Sequence, residues 1–124
     1  MNVIPTAIED VLVLVPQIHG DHRGYFMETW RKSELESLGI KTGFVQDNQS
    51  RSVQKTLRGL HYQLDHPQAK LVRVIAGEIF DVVVDLRKNS KTFAHWVGET
   101  LSAENRKQLW VPAGFAHGFY VLSE

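Results

Sequence analysis

The 124-residue sequence has no cysteine, no net charge and no hydrophobic run long enough to span a membrane. Without cysteine it can form no disulfide, no zinc–thiolate site and no cysteine nucleophile. Lys plus Arg and Asp plus Glu both number 14. This balance argues against a broad surface for nucleic acid or membrane lipid, although a local cationic pocket can still hold a phosphate. The N-terminus also lacks the basic and apolar regions of a signal peptide. We therefore expect a cytoplasmic protein with no nucleic-acid and no membrane partner.

Short strand patterns fill most of the sequence, whose length indicates one domain. These patterns lie at residues 11–15, 25–30, 71–76, 79–86, 96–101, 109–111 and 116–122. Turn signals separate them at Gly20–Asp21, Gly77–Glu78, Asn89–Ser90 and Pro112–Gly114. Only residues 32–38 favour a helix, with Ser33 as the expected N-cap. Many short strands in one domain predict an all-β antiparallel sandwich or barrel.

Two segments concentrate the residues suited to chemistry, LRGLHYQ at 57–63 and WVPAGFAHGF at 110–119. Each places a histidine, His61 or His117, within strand-like sequence. The second segment resembles the second motif of the cupin barrels in its Pro, Gly and His spacing. Lys70 precedes a glycine at the spacing that separates Glu from Gly in the first cupin motif.

The residues at these positions favour proton transfer over metal chemistry. Divalent cations in such barrels bind imidazole and carboxylate ligands, but this sequence has Gln63 and Lys70 where further ligands are expected. We therefore expect no metal. A neutral imidazole removes protons at physiological pH, and a fixed ammonium stabilises negative charge on a carbonyl oxygen. His61 is the candidate base and Lys70 its electrostatic partner; the alternative is a half-buried structural histidine and a strand-edge lysine that reaches solvent.

The strand patterns leave two orientations open. A two-residue period places Arg58 and His61 on opposite faces, but a bulge at Gly59 would bring them to one face. Asp81 and Asp85 share a face of the strand at 79–86. If that face is inward, one of them orients a histidine; if it is outward, both are solvated charges.

These segments closely resemble the dTDP-4-dehydrorhamnose 3,5-epimerase family, as do GDHRGYFMETW, FVQDNQSRS, AKLVRVIAGEIFDVVVDLR and FAHWVGETLSAENRKQLW. The resemblance runs through nearly the whole chain. It implies a cupin-type antiparallel jelly-roll barrel with one short helix, a single domain over 1–124, usually a homodimer and without metal or other cofactor. It also implies a reaction of dTDP-rhamnose biosynthesis, the inversion of C3 and C5 beside the C4 ketone of dTDP-4-dehydro-6-deoxy-D-glucose.

The resemblance places the family's proton acceptor on His61 and its enolate-stabilising lysine on Lys70. Substrate-binding positions fall on Arg23, Glu28, Gln46, Asp47, Asn48, Arg58, Lys70 and His117. From the residues alone, turn chemistry is the favoured interpretation of those between positions 23 and 48. The family chain is expected to continue beyond residues 121–124, with its tyrosine proton donor and the carboxylate partner of the catalytic histidine in that continuation.

Three other functions stay open from the sequence. A related cupin enzyme, a 3-epimerase or a 3,4-ketoisomerase, would act on the same class of substrate. A nucleotide-sugar binding module without catalysis is a second alternative. A metal-dependent cupin enzyme is the least favoured, because Gln63 and Lys70 are poor ligands.

Overall fold

The computed structural model describes residues 1–63 and 67–124. Within these residues the chain forms ten strands and one short helix. The elements are β1 (Asn2–Pro5), β2 (Leu12–Val15), β3 (Ile18–Asp21), β4 (Gly24–Met27), α1 (Lys32–Ser37), β5 (Leu57–His61), β6 (Lys70–Arg73), β7 (Glu78–Asp85), β8 (Trp96–Ser102), β9 (Gln108–Val111) and β10 (Phe115–Val121).

Eight of the strands form two four-stranded antiparallel sheets. One sheet has the order β1–β2–β9–β6 and the other the order β5–β10–β7–β8, while β3 and β4 pair with each other as a separate hairpin. Four of the six neighbouring pairs, β2–β9, β9–β6, β5–β10 and β10–β7, join strands from distant parts of the chain, as in a jelly roll. The predicted all-β, cupin-type barrel with one short helix is confirmed.

The main core lies between the two sheets. Val13 and Leu109 from the first sheet pack with Val83, Leu101 and Phe115 from the second, and each is at least nine-tenths buried. Burial of each such side chain stabilises the fold by roughly 1.5–3 kcal/mol. On β7 every second residue near the C-terminal end is buried, which is the pattern of a strand with one face turned to the core.

A second core cluster covers the outer face of the first sheet. Leu35 of α1 packs there with Leu14, Ile40 and Trp110. A helix of six residues is too short to be stable alone, so this packing holds it. Its N-cap is Arg31, with no side-chain cap, and the predicted cap at Ser33 is wrong. Among the described residues, no helix has both the length and the hydrophobicity that crossing a membrane requires.

The predicted strand regions are found, with differences at their ends and at one turn. The pattern at 71–76 overruns β6, which ends at Arg73. The predicted turn at Gly20–Asp21 is wrong, since both residues lie in β3 and the chain turns at His22–Arg23. Asp21 starts that turn, because its side chain accepts a hydrogen bond of 2.9 Å from the backbone N–H of Arg23.

Candidate active site

A bulge between β5 and β10 sets the direction of two predicted site residues. His61 pairs with His117, and Arg58 pairs with Phe119, so three steps along β5 match two along β10. Directly paired residues of antiparallel strands point to the same face. Since His117 and Phe119 share a face of β10, Arg58 and His61 share a face as well. The extra residue falls at the expected Gly59 region, and the simple two-residue period is wrong here.

His61 and Lys70 line one cleft between the ends of β5 and β6. Its volume is about 250 Å³, just below the range of about 300–1,000 Å³ usual for small-molecule sites. Lys70 is partly buried, and it shares a face of β6 with Val72, which packs against the main core. The cleft therefore holds an imidazole and an ammonium, and the lysine lies on the strand face that packs against the main core. The other lining residues are Tyr62, Gln63, Pro67, Gln68, Gly114 and Phe115.

His117 is held from the inside of the barrel by Asp81. Nε2 of His117 lies 2.5 Å from Oδ1 of Asp81. Asp81 is fully buried, and the side chain of His117 is 12% exposed. The two residues are diagonal neighbours on one face, because His117 pairs with Val83 on β7. The side chain of Asp81 thus points inward, and Asp81 is the aspartate of β7 that contacts a histidine.

The charge on Asp81 depends on its surroundings. Burial raises the pKa of the Asp81 carboxyl above its usual value. The hydrogen bond with His117, the charge of His117 and the charge of Lys70 lower that pKa in turn. The influence of Lys70 reaches Asp81, so the cleft lysine and the buried pair belong to one electrostatic neighbourhood.

Asp85 is also buried, but it contacts an arginine and two hydroxyl groups. Arg87 donates to it through Nε at 3.0 Å and through an η nitrogen at 2.9 Å. Ser90 and Thr92 donate their hydroxyl hydrogens to Oδ2. Arg87 also lies over the ring of Phe115, which lines the cleft. Asp85 therefore anchors the turn beside the cleft, and in residues 1–63 and 67–124 its side chain contacts no histidine.

Two of the predicted ligand-binding residues lie near the β3–β4 hairpin. Arg23 forms an exposed ion pair of 2.8 Å with Asp21 and lines a second, shallower cleft. Glu28 accepts hydrogen bonds of 2.7 and 3.0 Å from Arg31. Neither residue lines the cleft that contains His61 within the described parts of the chain.

The other three predicted ligand-binding residues belong to the long connection between α1 and β5. Gln46, Asp47 and Asn48 are exposed. The amide of Gln46 donates to the side-chain oxygen of Asn48 at 3.2 Å. These residues are not among those that line the His61 cleft. Among the described residues, the structure thus places His61 and Lys70 in one cleft and His117 opposite His61 on the paired strand, whereas Arg58 is exposed and, like the other five, is not among the residues that line the cleft.

Metal binding finds no support in the side chains that the structure describes. In residues 1–63 and 67–124, no group of three or more His, Cys, Asp or Glu side chains is arranged to hold a metal ion. Gln63 and Lys70 both line the cleft, and the ammonium repels a cation. The expectation of a site that works without metal stays a prediction.

Sequence reasoning missed several residues that line the cleft. Tyr62 and Gln68 flank the two candidate catalytic residues along the chain, and Phe115 follows the predicted turn after β9. Their position beside His61, Lys70 and the turn was the available signal. The two-residue period of the strand patterns does not predict which of these residues face the cleft.

Comparisons with known proteins agree with this fold. The family model for dTDP-4-dehydrorhamnose 3,5-epimerase matches residues 5–124. The dTDP-4-dehydrorhamnose 3,5-epimerase of Shigella flexneri is 58% identical over 126 aligned positions, which cover 100% of this chain and 70% of that protein. The chain thus spans about two thirds of the length of such relatives.

Solved structures give the same result. The dTDP-6-deoxy-D-glucose-3,5-epimerase of Legionella pneumophila Philadelphia 1, solved in complex with dTDP-4-keto-L-rhamnose, is 55% identical with a TM-score of 0.96. The match covers 98% of this chain and 65% of that one. The dTDP-4-dehydrorhamnose 3,5-epimerase of Bacillus anthracis, solved with TDP and PPi bound, is 50% identical with a TM-score of 0.94, covering 98% of this chain and 71% of that one.

Proposed function

This chain belongs to the dTDP-4-dehydrorhamnose 3,5-epimerase family, and we propose that it inverts C3 and C5 of dTDP-4-dehydro-6-deoxy-D-glucose to give dTDP-4-dehydro-L-rhamnose. The observation that carries the proposal is the presence of His61 and Lys70 in one cleft. Deprotonation beside a ketone needs a base for the carbon-bound proton and a positive group for the oxygen that gains charge. An imidazole and an ammonium meet these two needs.

The proposed reaction runs through an enolate. His61 takes the proton from C3 or C5, the C–H electrons form a carbon–carbon double bond with C4, and the C4 oxygen becomes negative. Lys70 stabilises that oxygen. Collapse of the enolate with a proton delivered to the opposite face gives the inverted centre, and His61 then releases its proton. The family resemblance assigns the delivery to a tyrosine in the part of the family's chain that follows the region similar to residues 1–124, and this assignment stays a prediction.

The partner of the site is, in this proposal, a dTDP-linked 4-keto-6-deoxyhexose. Arg58 and His117, which share one face of the β5–β10 pair with His61, are the proposed contacts nearest to the reacting sugar. The exposed residues Arg23, Glu28, Gln46, Asp47 and Asn48 are proposed contacts for the remaining parts of the ligand. Metal and other cofactors play no part in the proposal, and a cytoplasmic location goes with it.

We also propose a homodimer, with the β3–β4 hairpin as part of the interface. Tyr25 and Phe26 of the hairpin are 56% and 72% exposed, and Ile18 beside them is 37% exposed. Three large apolar side chains on one small hairpin are an unfavourable surface for a monomer in water. A second copy of the chain is the occupant that the family resemblance implies.

Proton exchange with deuterated water tests the enzymatic proposal. The chain is incubated with dTDP-4-dehydro-6-deoxy-D-glucose in D2O, and NMR measures deuterium at C3 and C5 of the sugar. We expect exchange at both carbons, which His61→Ala abolishes. His95→Ala is the matched control, because His95 is an exposed histidine in the β7–β8 connection and should leave exchange unchanged.

Each other result contradicts a stated part of the proposal. Full exchange in His61→Ala excludes His61 as the base. Exchange at C3 alone identifies a 3-epimerase, and a product with its ketone at C3 identifies a 3,4-ketoisomerase. Tight binding of dTDP with no exchange in the wild-type chain leaves only the binding module.

A further inference from the structure

Asp81 and His117 form a buried hydrogen-bonded pair, and the aspartate of this pair has no role in the proposed proton transfer. Asp81 is fully buried, and its Oδ1 lies 2.5 Å from Nε2 of His117. The residues paired with Asp81 along the sheet are Phe119 on β10 and Glu99 on β8. Glu99 is itself engaged by Lys107 at 3.0 Å. Because Glu99 binds Lys107, the hydrogen bond to the carboxylate of Asp81 on this sheet comes from His117.

The shared proton of the pair belongs on the histidine. An imidazole is a stronger base than a carboxylate, with reference pKa values of about 6.5 and about 3.9. Burial is the largest influence on the pKa of Asp81 and favours the neutral acid, whereas the hydrogen bond with His117 and the charges of His117 and Lys70 favour the carboxylate. A carboxylate can only accept a hydrogen bond, so in a pair with ionised Asp81 the hydrogen lies on Nε2 of His117.

The hydrogen bond to His117 is the one that Asp81 makes through its two carboxylate oxygens in the described parts of the chain. Oδ2 is buried and has no hydrogen-bond partner in the described parts of the chain. The bond through Oδ1 is thus the one that fixes the orientation of the carboxylate and, through it, the ring plane of His117. A ring held through Nε2 presents only Nδ1 to any other molecule.

We propose that Asp81 is a positioning residue of this site, which holds His117 with its proton on Nε2 and leaves Nδ1 as the nitrogen that contacts the bound nucleotide sugar. The proposal rests on the proposed function for the role of His117 as a ligand contact. The protonation of the ring itself does not rest on it, and this lets the two be tested separately.

The first measurement is a long-range 1H–15N NMR spectrum of the histidine side chains in the wild-type chain. The chain has six histidines, and His117→Gln identifies the signals of His117. We expect the hydrogen on Nε2. A spectrum with the hydrogen on Nδ1 and a bare Nε2 would mean that Asp81 is a neutral acid that donates to the ring, and it overturns the proposal without any further variant.

The second measurement compares two aspartate variants. In Asp81→Asn the amide offers both a donor and an acceptor, so we expect the single tautomer of His117 to be lost. Asp85→Asn is the matched control, because Asp85 is a buried aspartate on the same face of β7 but binds Arg87. It should leave the His117 signals unchanged. Unchanged signals in Asp81→Asn, or an equal change in both variants, contradict a positioning role.

The third measurement is the affinity for dTDP by calorimetry. We expect Asp81→Asn and His117→Gln each to weaken binding by roughly tenfold, as loss of an orienting partner commonly does. Because Asp81 acts through His117, the double variant should lose little more than the worse single one. Additive losses overturn the proposal. If the wild-type chain fails to bind dTDP, the proposed function falls, while the two spectra still decide the role of Asp81.

Discussion

Gly59 on β5 and Gly118 on β10 pack backbone against backbone at the bulge that turns Arg58 and His61 to one face. A Cβ atom at Gly59 would lie 2.6 Å from the carbonyl oxygen of His117 and 2.7 Å from Cα of Gly118. A Cβ atom at Gly118 would lie 2.6 Å from the carbonyl oxygen of Arg58. The strands approach this closely because neither residue has a side chain.

Gly118→Ala should therefore damage both the fold and the site. The added methyl group meets backbone atoms that cannot move without shifting β5, and we expect a loss of roughly 1–3 kcal/mol in the free energy of unfolding. Because β5 carries His61, proton exchange at the sugar should also fall. Urea denaturation measures the first effect and deuterium incorporation the second.

Gly43→Ala is the control for this change. A Cβ atom at Gly43 would meet nothing within 4 Å, so the free energy of unfolding should change by no more than about 0.5 kcal/mol. If Gly118→Ala is as stable and as active as Gly43→Ala, the close approach of the two strands does not matter to the site.

Lys70→Met tests the stabilisation of the enolate oxygen. The methionine keeps most of the apolar stem and removes the charge, so we expect deuterium exchange to slow by roughly 100-fold or more. Affinity for dTDP should fall much less, because the lost charge acts mainly on the reacting sugar. Exchange rates from NMR and dissociation constants from calorimetry separate these effects. Lys41→Met removes an exposed lysine and should change neither; a Lys70→Met chain that exchanges at the wild-type rate contradicts the role of Lys70.

The strands could be predicted from the sequence because their period is local, but the bulge could not. One extra residue in β5 reverses the face of every side chain beyond it. Gly59 marked the place where that was possible. Whether the bulge forms depends on Gly118, a residue of another strand almost sixty positions away, and a single-strand pattern does not contain that contact.

The two aspartates of β7 show a second limit. Their spacing predicted a shared face, and the structure confirms it. Which partner each one has depends on neighbouring strands and turns, since Asp81 meets His117 on β10 and Asp85 meets Arg87 after the strand has ended.

Phe26→Asp should disrupt the proposed homodimer. Phe26 is 72% exposed in the single chain, so a charge there costs the monomer little, whereas in an interface it would be buried without a partner. Sedimentation equilibrium should show a dimer for the wild-type chain and a monomer for the variant at the same concentration.

Phe93→Asp is the control for Phe26→Asp, because it places the same charge on an exposed aromatic residue outside the hairpin. Phe93 is a 47% exposed aromatic residue in the β7–β8 connection, away from the hairpin in sequence and in sheet topology. This variant should sediment as the wild type does. A wild-type chain that is monomeric at micromolar concentration, or a dimeric Phe26→Asp chain, contradicts the hairpin interface.

The cluster around Asp85 should make stability depend on pH. The hydrogen bond from Arg87, helped by those from Ser90 and Thr92, holds the pKa of the Asp85 carboxyl well below its usual range, although desolvation by burial opposes them. The native chain therefore binds fewer protons than the unfolded chain at acidic pH. Stability from this carboxylate is fully present above the unfolded pKa of about 3.9 and is lost as the pH falls through the lower native value.

Asp85→Asn removes the titrating carboxyl, so it should also remove the pH dependence of the free energy of unfolding that this carboxyl causes. At pH 7 we expect the variant to be less stable by roughly 2 kcal/mol, since hydrogen bonds to a charged group are lost. The difference in the free energy of unfolding between wild type and variant should shrink as the pH falls from about 5 to about 2, as measured by urea denaturation across that range.

Asp10→Asn is the matched control, because Asp10 contacts the same Arg87 at 2.8 Å from an exposed position. An exposed ion pair contributes about 0–1 kcal/mol, so this variant should stay close to the wild type. A difference for Asp85→Asn that stays constant from pH 7 to pH 2 would show that the carboxylate stabilises the fold by its shape alone and not by its charge.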